Sequence, residues 1–566
     1  MPPGYHGCYL RIDASNGHAE RMPLADDLLR QYLGGSGLGT RLLLDENAAT
    51  VDPLAPDAPI VFAFSPLVGT PLTTSAKFAV VSRSPLTHRI NDALAGSGFA
   101  IAGKRCGCDA IMIVGRAKQL SVLVIDDQNV RLQPAEDVDA LDSSYRIASI
   151  GSAGEHGVRY ATISHDGRHA GRGGSGAVLG SKNIKAVAVR GTHRCEWAHP
   201  RELGELSRDL SARSFGPATA KYRELGTATN LLTLNRFGAL PTRNFQRGTF
   251  EQAPALSPAE LSAQYSRVRG SCVACTIGCE HIYDIDETGV RVEYESLFAL
   301  GSLCGVGDSR AVLRASHRCD ELGLDTISTG GTIAFAMECV ERGLVDEPWL
   351  TFGSGDAVLT AIDLIARREG IGDLLAEGSR RAALAIGHDS LAFAPQVKGL
   401  EIPGYEPRAL QTMALGFAVG TRGADHNRSG AYEVDFSDKV DRRHATLDSV
   451  GHAIETEDRS ALMDSLILCK FLRGVFTDFY GEAADMLRLV TGWDVEATEL
   501  RETARRIIAA KQQFNLLAGW TPEEDTLPER FLDTPLPGDP TAVLTSDNLR
   551  ALVAEYHRQR GWTTSE

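Results

Sequence analysis

The sequence predicts an α+β protein with a β-rich N-terminal part and a mostly helical remainder. Short β-branched and aromatic runs separated by Gly, Pro and Ser fill the first two hundred residues. Beyond them, apolar residues recur at the spacing of one helix face. The 566 residues are enough for roughly three or four domains, and 43% hydrophobic with 23% charged residues is typical of a globular protein.

The strands expected in the N-terminal part are the runs 60–64, 78–82, 110–114 and 184–189. A glycine-rich stretch at 34–39 precedes a predicted helix at 40–45. Its spacing differs from that of a dinucleotide fingerprint. A tight turn packed on a sheet is the favoured interpretation, and a phosphate cradle at the start of the helix is the alternative.

Three helices are predicted from apolar periodicity and end signals in the later part of the chain. The first spans 356–368 and stops before Gly370, and the second spans 374–386 and stops at Gly387. The third is expected to be capped by Asp494 and to end at Gly519.

Charge and cysteine usage narrow the class of protein. A net charge of −15 without a basic tail argues against a nucleic-acid partner. No run of eighteen apolar residues is present, so no membrane span is expected. Eleven cysteines are too sparse for a disulfide scaffold, and no signal peptide is evident. A soluble cytoplasmic protein is the expectation.

Four cysteines are the strongest chemical signal. Cys272, Cys275 and Cys279 have the spacing C-x-x-C-x-x-x-C, and Cys469 lies far downstream. Such thiolates suit a [4Fe–4S] cluster. Structural zinc is the rival interpretation, but no second close Cys or His pair follows within twenty residues. The third interpretation is that these cysteines are ordinary buried thiols.

Other stretches offer weaker candidates. The glycine-rich run 171–176 allows close approach of a ligand to the backbone, with Arg172 and Lys182 available for phosphate, or it is a plain loop. A general acid and base are available from Glu293, Glu295 and His426. If 293–295 is a strand, both glutamates face the same side.

The order and spacing of these motifs resemble one family, the aldehyde ferredoxin oxidoreductases. Its members are tungsten enzymes with a bis-pterin cofactor and one [4Fe–4S] cluster. The resemblance covers nearly the whole chain and rests on the stretches 32–39, 84–87, 171–186, 272–279, 293–295, 320–325, 397–405 and 422–428, and on Cys469.

The resemblance implies a site for each part of the cofactor. Asp320-x-x-Gly-Leu324-Asp325 matches a pterin motif fully, whereas in the second motif, which starts at Asp464, the glycine is replaced by Ile467. Cys272, Cys275, Cys279 and Cys469 become the cluster ligands. The implied cofactor contacts are Lys77, Ala170, Gly171, Arg172, Gly173, Asp320, Leu324, Asp325, Arg428, Asp464 and Leu468.

Several substitutions depart from the family pattern. Lys77 and His169 replace arginines, and Leu94 stands where an asparagine is expected to share the Mg²⁺ between the pterin phosphates. Lysine keeps the charge but loses bidentate phosphate geometry. Arg314 replaces the glutamate of an E-x-x-H interface iron site, although His317 is present.

The implied architecture has three domains. Residues 1–205 form a β-rich base for the pterin, 206–410 a helical domain with the cysteine triad and the first pterin motif, and 411–566 a helical domain with the fourth cysteine. Either a homodimer or a subunit of a larger complex is consistent with the sequence.

The implied activity is oxidation of a small aldehyde to a carboxylic acid at tungsten (or molybdenum). Glu295 is the expected general base and His426 the hydrogen-bond donor to the carbonyl oxygen. Electrons leave through the cluster to a ferredoxin or an iron–sulfur subunit. One alternative uses the cofactor reductively, for example on an acid or an aromatic thioester. Cys304 is then the candidate for a cysteine near the metal. The other alternative is a cofactor-poor electron-transfer or scaffold paralogue.

Overall fold

The structure is a computed structural model that describes residues 1–127 and 129–562. Residues 563–566, which end the predicted third domain, lie outside the described part, as does residue 128 of the first. The chain divides into two compact units. Unit 1 comprises 1–223, 271–278 and 461–519, and unit 2 comprises 224–270, 279–460 and 520–566. The three-domain division stays a prediction.

Unit 1 contains two six-stranded sheets. The first has the order β2-β1-β6-β3-β4-β5, with strands β1 (Cys8–Asp13), β2 (His18–Pro23), β3 (Ile60–Ala63), β4 (Lys77–Arg83), β5 (Ile90–Gly96) and β6 (Ala110–Val114). The second has the order β11-β10-β9-β12-β7-β8, with β7 (Ser121–Asp126), β8 (Asn129–Pro134), β9 (Arg146–Ile150), β10 (Ile163–His165), β11 (Arg168–Ala170) and β12 (Ile184–Arg190).

Burial along the strands follows their place in the sheets. Every residue of β3 and β6, in the middle of the first sheet, is buried, which explains their unbroken apolar sequences. The edge strand β2 carries charged side chains and has no buried residue, a common protection against edge-to-edge pairing. The neighbouring rings of Phe62, Phe78 and Phe99 belong to a core that draws on both sheets.

Unit 2 contains the smaller sheets, in the strands β13 (Arg267–Gly270), β14 (Glu280–Ile285), β15 (Thr288–Val292), β16 (Gln396–Val397) and β17 (Leu400–Glu401). The first three form an antiparallel sheet in the order β13-β14-β15.

Helices occur throughout, and dominate after residue 200. Those that begin before residue 220 are α1 (Asp26–Tyr32), α2 (Gly35–Asp45), α3 (Gly98–Lys104), α4 (Ser152–Glu155), α5 (Ser175–Ser181), α6 (Pro200–Ser214) and α7 (Pro217–Leu225). The next are α8 (Asn230–Arg236), α9 (Pro258–Gln264), α10 (Tyr294–Leu300), α11 (Ser309–Leu322), α12 (Thr326–Glu341), α13 (Gly355–Arg367), α14 (Ile371–Leu375) and α15 (Ser379–Ile386). The last are α16 (Gln411–Ala418), α17 (His426–Ser429), α18 (Tyr432–Asp435), α19 (Leu447–Leu466), α20 (Phe479–Thr491), α21 (Ala497–Leu517) and α22 (Ser546–Arg560).

The α+β prediction is confirmed, and the four predicted strands correspond to β3, β4, β6 and β12. The helix expected at 40–45 in fact begins at Gly35, so the glycine-rich stretch is helical instead of a turn. The helix expected at 374–386 is two helices, broken at 376–378. The helix expected to be capped by Asp494 and to end at Gly519 starts after Glu496 and ends at Leu517. Within the described residues, no helix combines the length and apolar character needed to cross a bilayer.

Candidate functional site

The cysteine loop 271–278 and the segment that carries Cys469 are both attached to Thr74 in unit 1. The amide of Thr74 donates to the carbonyl of Ala274 at 2.6 Å, and its hydroxyl accepts from the amide of Cys469 at 3.2 Å. Thr74 is buried and has a left-handed φ of 68°. One residue therefore links two cysteine-bearing segments that are almost two hundred positions apart.

Lys77, the first residue of β4, lies within the electrostatic reach of these thiols. Burial lowers the pKa of its ammonium, but the nearby Cys469, Cys272 and Asp464 outweigh burial, and the net effect raises that pKa. In the sheet register Lys77 faces Gly96. A Cβ at Gly96 would lie 3.0 Å from Cys272 Sγ, so glycine there lets the thiol approach the sheet closely.

The surroundings of the thiols fit an anionic iron–sulfur centre. The amide of Ile277 donates to Cys275 Sγ at 3.4 Å, and such bonds to sulfur are among the features that tune these clusters. Burial, followed by the neighbouring Cys469, raises the pKa of Cys275 to about 11, a penalty that a cationic metal relieves by binding the thiolate.

Over the described residues, no three His, Cys, Asp or Glu side chains are arranged around a single ion. The thiolates of a cubane cluster bind separate irons, so this finding bears on the zinc alternative more than on a cluster. Cys279, the last predicted ligand of the triad, is half-buried and begins the next segment of unit 2. Its ligation stays a prediction.

The second pterin motif lies at the end of α19. Asp464 is buried and pairs with Lys470 at 2.9 Å. The helix ends at a residue with a left-handed φ of 65°, and this residue is Ile467. Its side chain is fully buried in the core of unit 1. That the branched Ile467 side chain crowds the pterin stays a prediction. Its burial in the core shows that this side chain has a packing role.

The glycine-rich stretch of α2 packs beside this motif within unit 1. The amide of Gly37 donates to Ser465 Oγ at 3.1 Å, and Ser65 Oγ donates to the carbonyl of Leu466 at 2.8 Å. Two parts of the chain that the resemblance brought up separately, 34–39 and 464–469, are therefore neighbours.

The first pterin motif joins α11 to α12 in unit 2. Gly323 ends α11 with a left-handed φ of 73°, a conformation that glycine adopts without strain. Leu324 is buried, and Asp325 caps α12 by accepting the amide of Ser328 at 3.1 Å. Burial raises the pKa of Asp320 to about 6, against the opposing effect of Arg291.

The predicted Mg²⁺ region follows β11 in unit 1. Ala170 is fully buried at the end of that strand, and Arg172 is also buried. The carbonyl of Gly173 accepts from Ser84 Oγ at 2.8 Å. His169, in place of the family arginine, has Nδ1 2.8 Å from Thr162 Oγ1. The Mg²⁺ role of these residues stays a prediction.

Glu295 and His426 are brought together in unit 2. The segment 293–295 is not a strand, because α10 begins at Tyr294. Glu293 is therefore left exposed, 3.8 Å from Arg291, whereas Glu295 Oε1 lies 3.5 Å from His426 Nε2. Their side chains are 16% and 11% exposed, so the pair is largely withdrawn from solvent.

Neighbouring groups hold both side chains of this pair. The amide of Gly404 donates to Glu295 Oε2 at 3.0 Å, and the ring of Tyr405 lies 5.2 Å from that of His426. Tyr405 stacks in turn on Tyr432, with centroids 5.0 Å apart. These tyrosines had no predicted role, although Tyr405 lies in a stretch that supported the resemblance.

A capped helix fixes the direction of His426. Asp425 accepts the amides of Asn427 at 2.8 Å and Arg428 at 3.0 Å, which places His426 at the first position of α17. Arg428, a predicted cofactor contact, therefore shares a four-residue helix with the predicted hydrogen-bond donor.

The two remaining candidates are the Cys304 thiol and the predicted iron site at 314–317. The thiol of Cys304 is fully buried and points at the carbonyls of Ala299 at 3.3 Å and Gly330 at 3.7 Å, and burial raises its pKa. At the predicted iron site, Arg314 is exposed and His317 pairs with Glu321 at 3.3 Å.

Comparisons with known proteins cover the whole length of the chain. The family model for the N-terminal domain of aldehyde ferredoxin oxidoreductase matches residues 9–191, and the model for domains 2 and 3 matches 209–566. The tungsten-containing aldehyde ferredoxin oxidoreductase of Pyrococcus furiosus is 36% identical, over 99% of this chain and 96% of the relative. The WOR-like subunit of an aliphatic sulfonate oxidoreductase from the same organism is 27% identical, over 99% and 94%.

Among solved structures, the active-site complex BamBC of benzoyl coenzyme A reductase, with bound 1,5-dienoyl-CoA, is similar with a TM-score of 0.84. It is 22% identical, and the match covers 100% of this chain and 95% of that one. At this identity the similarity establishes a shared fold. Two family models that together match nearly every residue, and a full-length relative above 30% identity, identify the oxidoreductase family: the chain belongs to the aldehyde ferredoxin oxidoreductases.

Proposed function

We propose that this protein oxidises an aldehyde to a carboxylic acid at a tungsten–bis-pterin centre and releases the electrons through a [4Fe–4S] cluster to a ferredoxin-like acceptor. The observation that carries the proposal is the pair of Glu295 and His426, which is largely withdrawn from solvent with the two side chains 3.5 Å apart. A carboxylate and an imidazole at this distance supply the base and the hydrogen-bond donor that hydration and oxidation of a carbonyl require.

The residues for the two metal centres are those described above. Asp320, Leu324, Asp325, Arg428, Asp464, Leu468 and Lys77, with 170–173, would hold the pterins, and Cys272, Cys275, Cys279 and Cys469 the cluster. When bound, the tungsten–pterin group accepts an electron pair that no side chain accepts, and the cluster passes electrons singly.

Side chains of the protein accept the proton and donate the hydrogen bond that the reaction requires. The reaction is RCHO + H₂O → RCOOH + 2 H⁺ + 2 e⁻. Glu295 accepts a proton from the water that adds to the carbonyl carbon, while the Gly404 amide fixes its other oxygen. His426, with a proton at Nε2, donates a hydrogen bond to the carbonyl oxygen and withdraws electron density from the carbon. Tyr405 is buried and packs beside the His426 ring.

The test is the Glu295→Gln variant, purified without oxygen. Glutamine keeps the shape and the Gly404 contact but cannot accept the proton, so aldehyde-dependent viologen reduction should fall by roughly 10²–10⁴-fold. Tungsten (or molybdenum) and iron should stay at wild-type levels. Glu293→Gln is the matched control, because Glu293 is exposed and two residues away; its activity should not change.

Full activity in Glu295→Gln would remove Glu295 from the mechanism. The metal content of the wild type tests the wider proposal. About four iron per chain without tungsten or molybdenum, from a medium that supplies both, would favour the electron-carrier paralogue. Metal-loaded protein that reduces acids or thioesters but oxidises no aldehyde would favour the reductive alternative.

A further inference from the structure

Three segments of unit 1 are rich in positive charge although the chain as a whole is acidic. Residues 212–223, 271–278 and 469–475 contain five Lys or Arg and no Asp or Glu, in a protein with a net charge of −15. The five are Arg213, Lys221, Arg223, Lys470 and Arg473. Along the chain, the nearest acid to the first segment is Glu224, the next residue.

Direct contacts join the three segments. Ser214 Oγ lies 2.5 Å from Thr276 Oγ1, which joins the end of α6 to the cysteine loop. The rings of Tyr222 and Phe471 stack with centroids 4.2 Å apart, which joins α7 to the Cys469 segment. An Arg213 guanidinium nitrogen also donates to the carbonyl of Val475 at 3.0 Å. The segments therefore form one continuous part of unit 1.

Apolar side chains are exposed among these cations. Phe215 is 53% exposed and Val273 is 42% exposed. The guanidinium of Arg223 lies over the Phe215 ring at 4.1 Å, and the ammonium of Lys221 lies over Tyr222 at 4.8 Å. Aromatic and arginine side chains are enriched at protein–protein interfaces, and exposed apolar groups rimmed by polar ones mark interaction sites.

Two of the five cations have acidic partners inside the unit, and two others are exposed or half-exposed. Arg213 pairs with Asp209 at 2.8 Å and with Glu482 at 2.6 Å, and Lys470 pairs with Asp464 at 2.9 Å. Lys221 is exposed and Arg223 is half-exposed. Lys221 and Arg223 therefore place positive charge at the surface that a partner would meet.

The same segments carry three of the four predicted cluster cysteines, Cys272, Cys275 and Cys469, all half-buried. We propose that the surface formed by Phe215, Lys221, Tyr222, Arg223, Val273 and Phe471, here named the cationic face, is the docking site of an acidic iron–sulfur electron carrier. This inference rests on the proposed function, since it assigns the place where the electrons leave.

Charge complementarity selects this partner. An acidic carrier is repelled by a chain of net charge −15 in general, and a local positive face steers it to one place. Each aldehyde oxidised supplies two electrons, so two carrier molecules dock in turn: RCHO + H₂O + 2 carrier(ox) → RCOOH + 2 H⁺ + 2 carrier(red). A second copy of this chain is a poor occupant, because a two-fold contact would set cation against cation.

The experiment uses the holoenzyme and an acidic ferredoxin with a single [4Fe–4S] cluster, which accepts one electron per molecule. In the variant Lys221→Glu/Arg223→Glu, KM for ferredoxin should rise at least tenfold at low ionic strength. The wild-type kcat/KM should fall with added salt, and the variant should lose most of that dependence. Viologen reduction, which needs no protein docking, should stay within twofold of wild type in both proteins.

A matched control carries the same charge change elsewhere in unit 1. Lys118→Glu/Arg131→Glu alters two exposed residues, one before β7 and one on the edge strand β8. Its KM for ferredoxin should change less than threefold. An equal effect of the two double variants, or no effect of the first, would overturn the docking site.

Direct binding separates this inference from the proposed function. If wild-type protein shows no aldehyde-dependent viologen reduction, the proposed function fails, and calorimetric titration with oxidised ferredoxin still tests the face. Binding to wild type that is lost in Lys221→Glu/Arg223→Glu supports the face in that case, and absence of wild-type binding overturns it. Light scattering that shows a wild-type dimer and a variant monomer would assign the face to a second copy instead.

Discussion

The two segments 320–325 and 464–469 have the same backbone but use their side chains differently. In both, a helix ends at a residue with left-handed φ, 73° at Gly323 and 65° at Ile467. In both, the next amide donates to a carbonyl five residues back at 2.8 Å, which is the bond of a Schellman motif. The left-handed helix end therefore does not require glycine, although glycine adopts this conformation with the least strain.

The difference is largest at the last position of each segment. The side chain of Asp325 accepts a hydrogen bond from the amide of Ser328 and so caps the start of α12. Cys469 stands before a short 3-10 turn without capping it, and its own amide is held by Thr74. The Asp325 carboxylate therefore has a structural role at the start of α12, whereas the Cys469 thiol makes no capping bond.

The largest expected effect comes from exchanging that thiol. Cys469→Ser should lose most of the approximately four iron per chain expected of a cubane cluster, since serine is a poor ligand for a soft centre. Iron should be measured on protein purified without oxygen. Cys195→Ser, another half-buried cysteine of unit 1, should keep its iron. Unchanged iron in Cys469→Ser would show that the fourth ligand lies elsewhere.

Local sequence patterns singled out some of these residues. The spacing of Cys272 and Cys275 predicted cluster ligands, and that role stays a prediction. Gly323 was noted only as part of a pterin motif, and its position at the end of α11 was not predicted. The role of Thr74 had no such signal, because it depends on contacts with Ala274 and Cys469 that exist only in the folded chain. The glycines at 35, 37 and 39 lie inside α2, although a tight turn was the favoured prediction for them. The prediction was wrong because glycine is more common at helix ends than in helix interiors.

The next prediction concerns the position where glycine and isoleucine differ. Ile467→Ala should destabilise by about 2–4 kcal/mol because a fully buried side chain is truncated. Ile467→Gly should be about 1 kcal/mol more stable than Ile467→Ala, because glycine tolerates φ of 65°. At ordinary helix sites that order is reversed. Urea unfolding measures both, and the usual order here would contradict the strained conformation.

Gly323→Ala should cost about 1 kcal/mol, since it introduces at 323 the strain that Ile467 already carries. The same urea series measures it. No change in Gly323→Ala would mean that the two helix ends tolerate a Cβ equally well.

The smallest expected effect concerns the first aspartate of each segment. Asp320 has a folded-state pKa of about 6, raised mainly by burial, so folding favours its protonated form. Its contribution to stability is complete below the unfolded pKa, near 4, and is lost as pH rises through 6. Asp320→Asn should therefore gain stability relative to wild type between pH 4 and 7, on the order of 1 kcal/mol after solvent screening.

The measurement is urea unfolding of cofactor-free protein at several pH values. Asp464→Asn is the contrasting variant, because Asp464 pairs with Lys470 at 2.9 Å, and its loss should lower stability at pH 7. A pH-independent difference between Asp320→Asn and wild type would argue against the raised pKa.

The assembly of unit 1 from three separated stretches has a consequence for biosynthesis. Cys279 leaves the ribosome 190 residues before Cys469, which at 5–20 residues per second is an interval of roughly 10–40 s. During that time the nascent loop 271–278 has neither its fourth predicted ligand nor the segment that shares Thr74. Loading of the predicted cluster therefore has to follow translation of Cys469, and oxygen that reaches the ribosome meets three thiols with no metal to protect them.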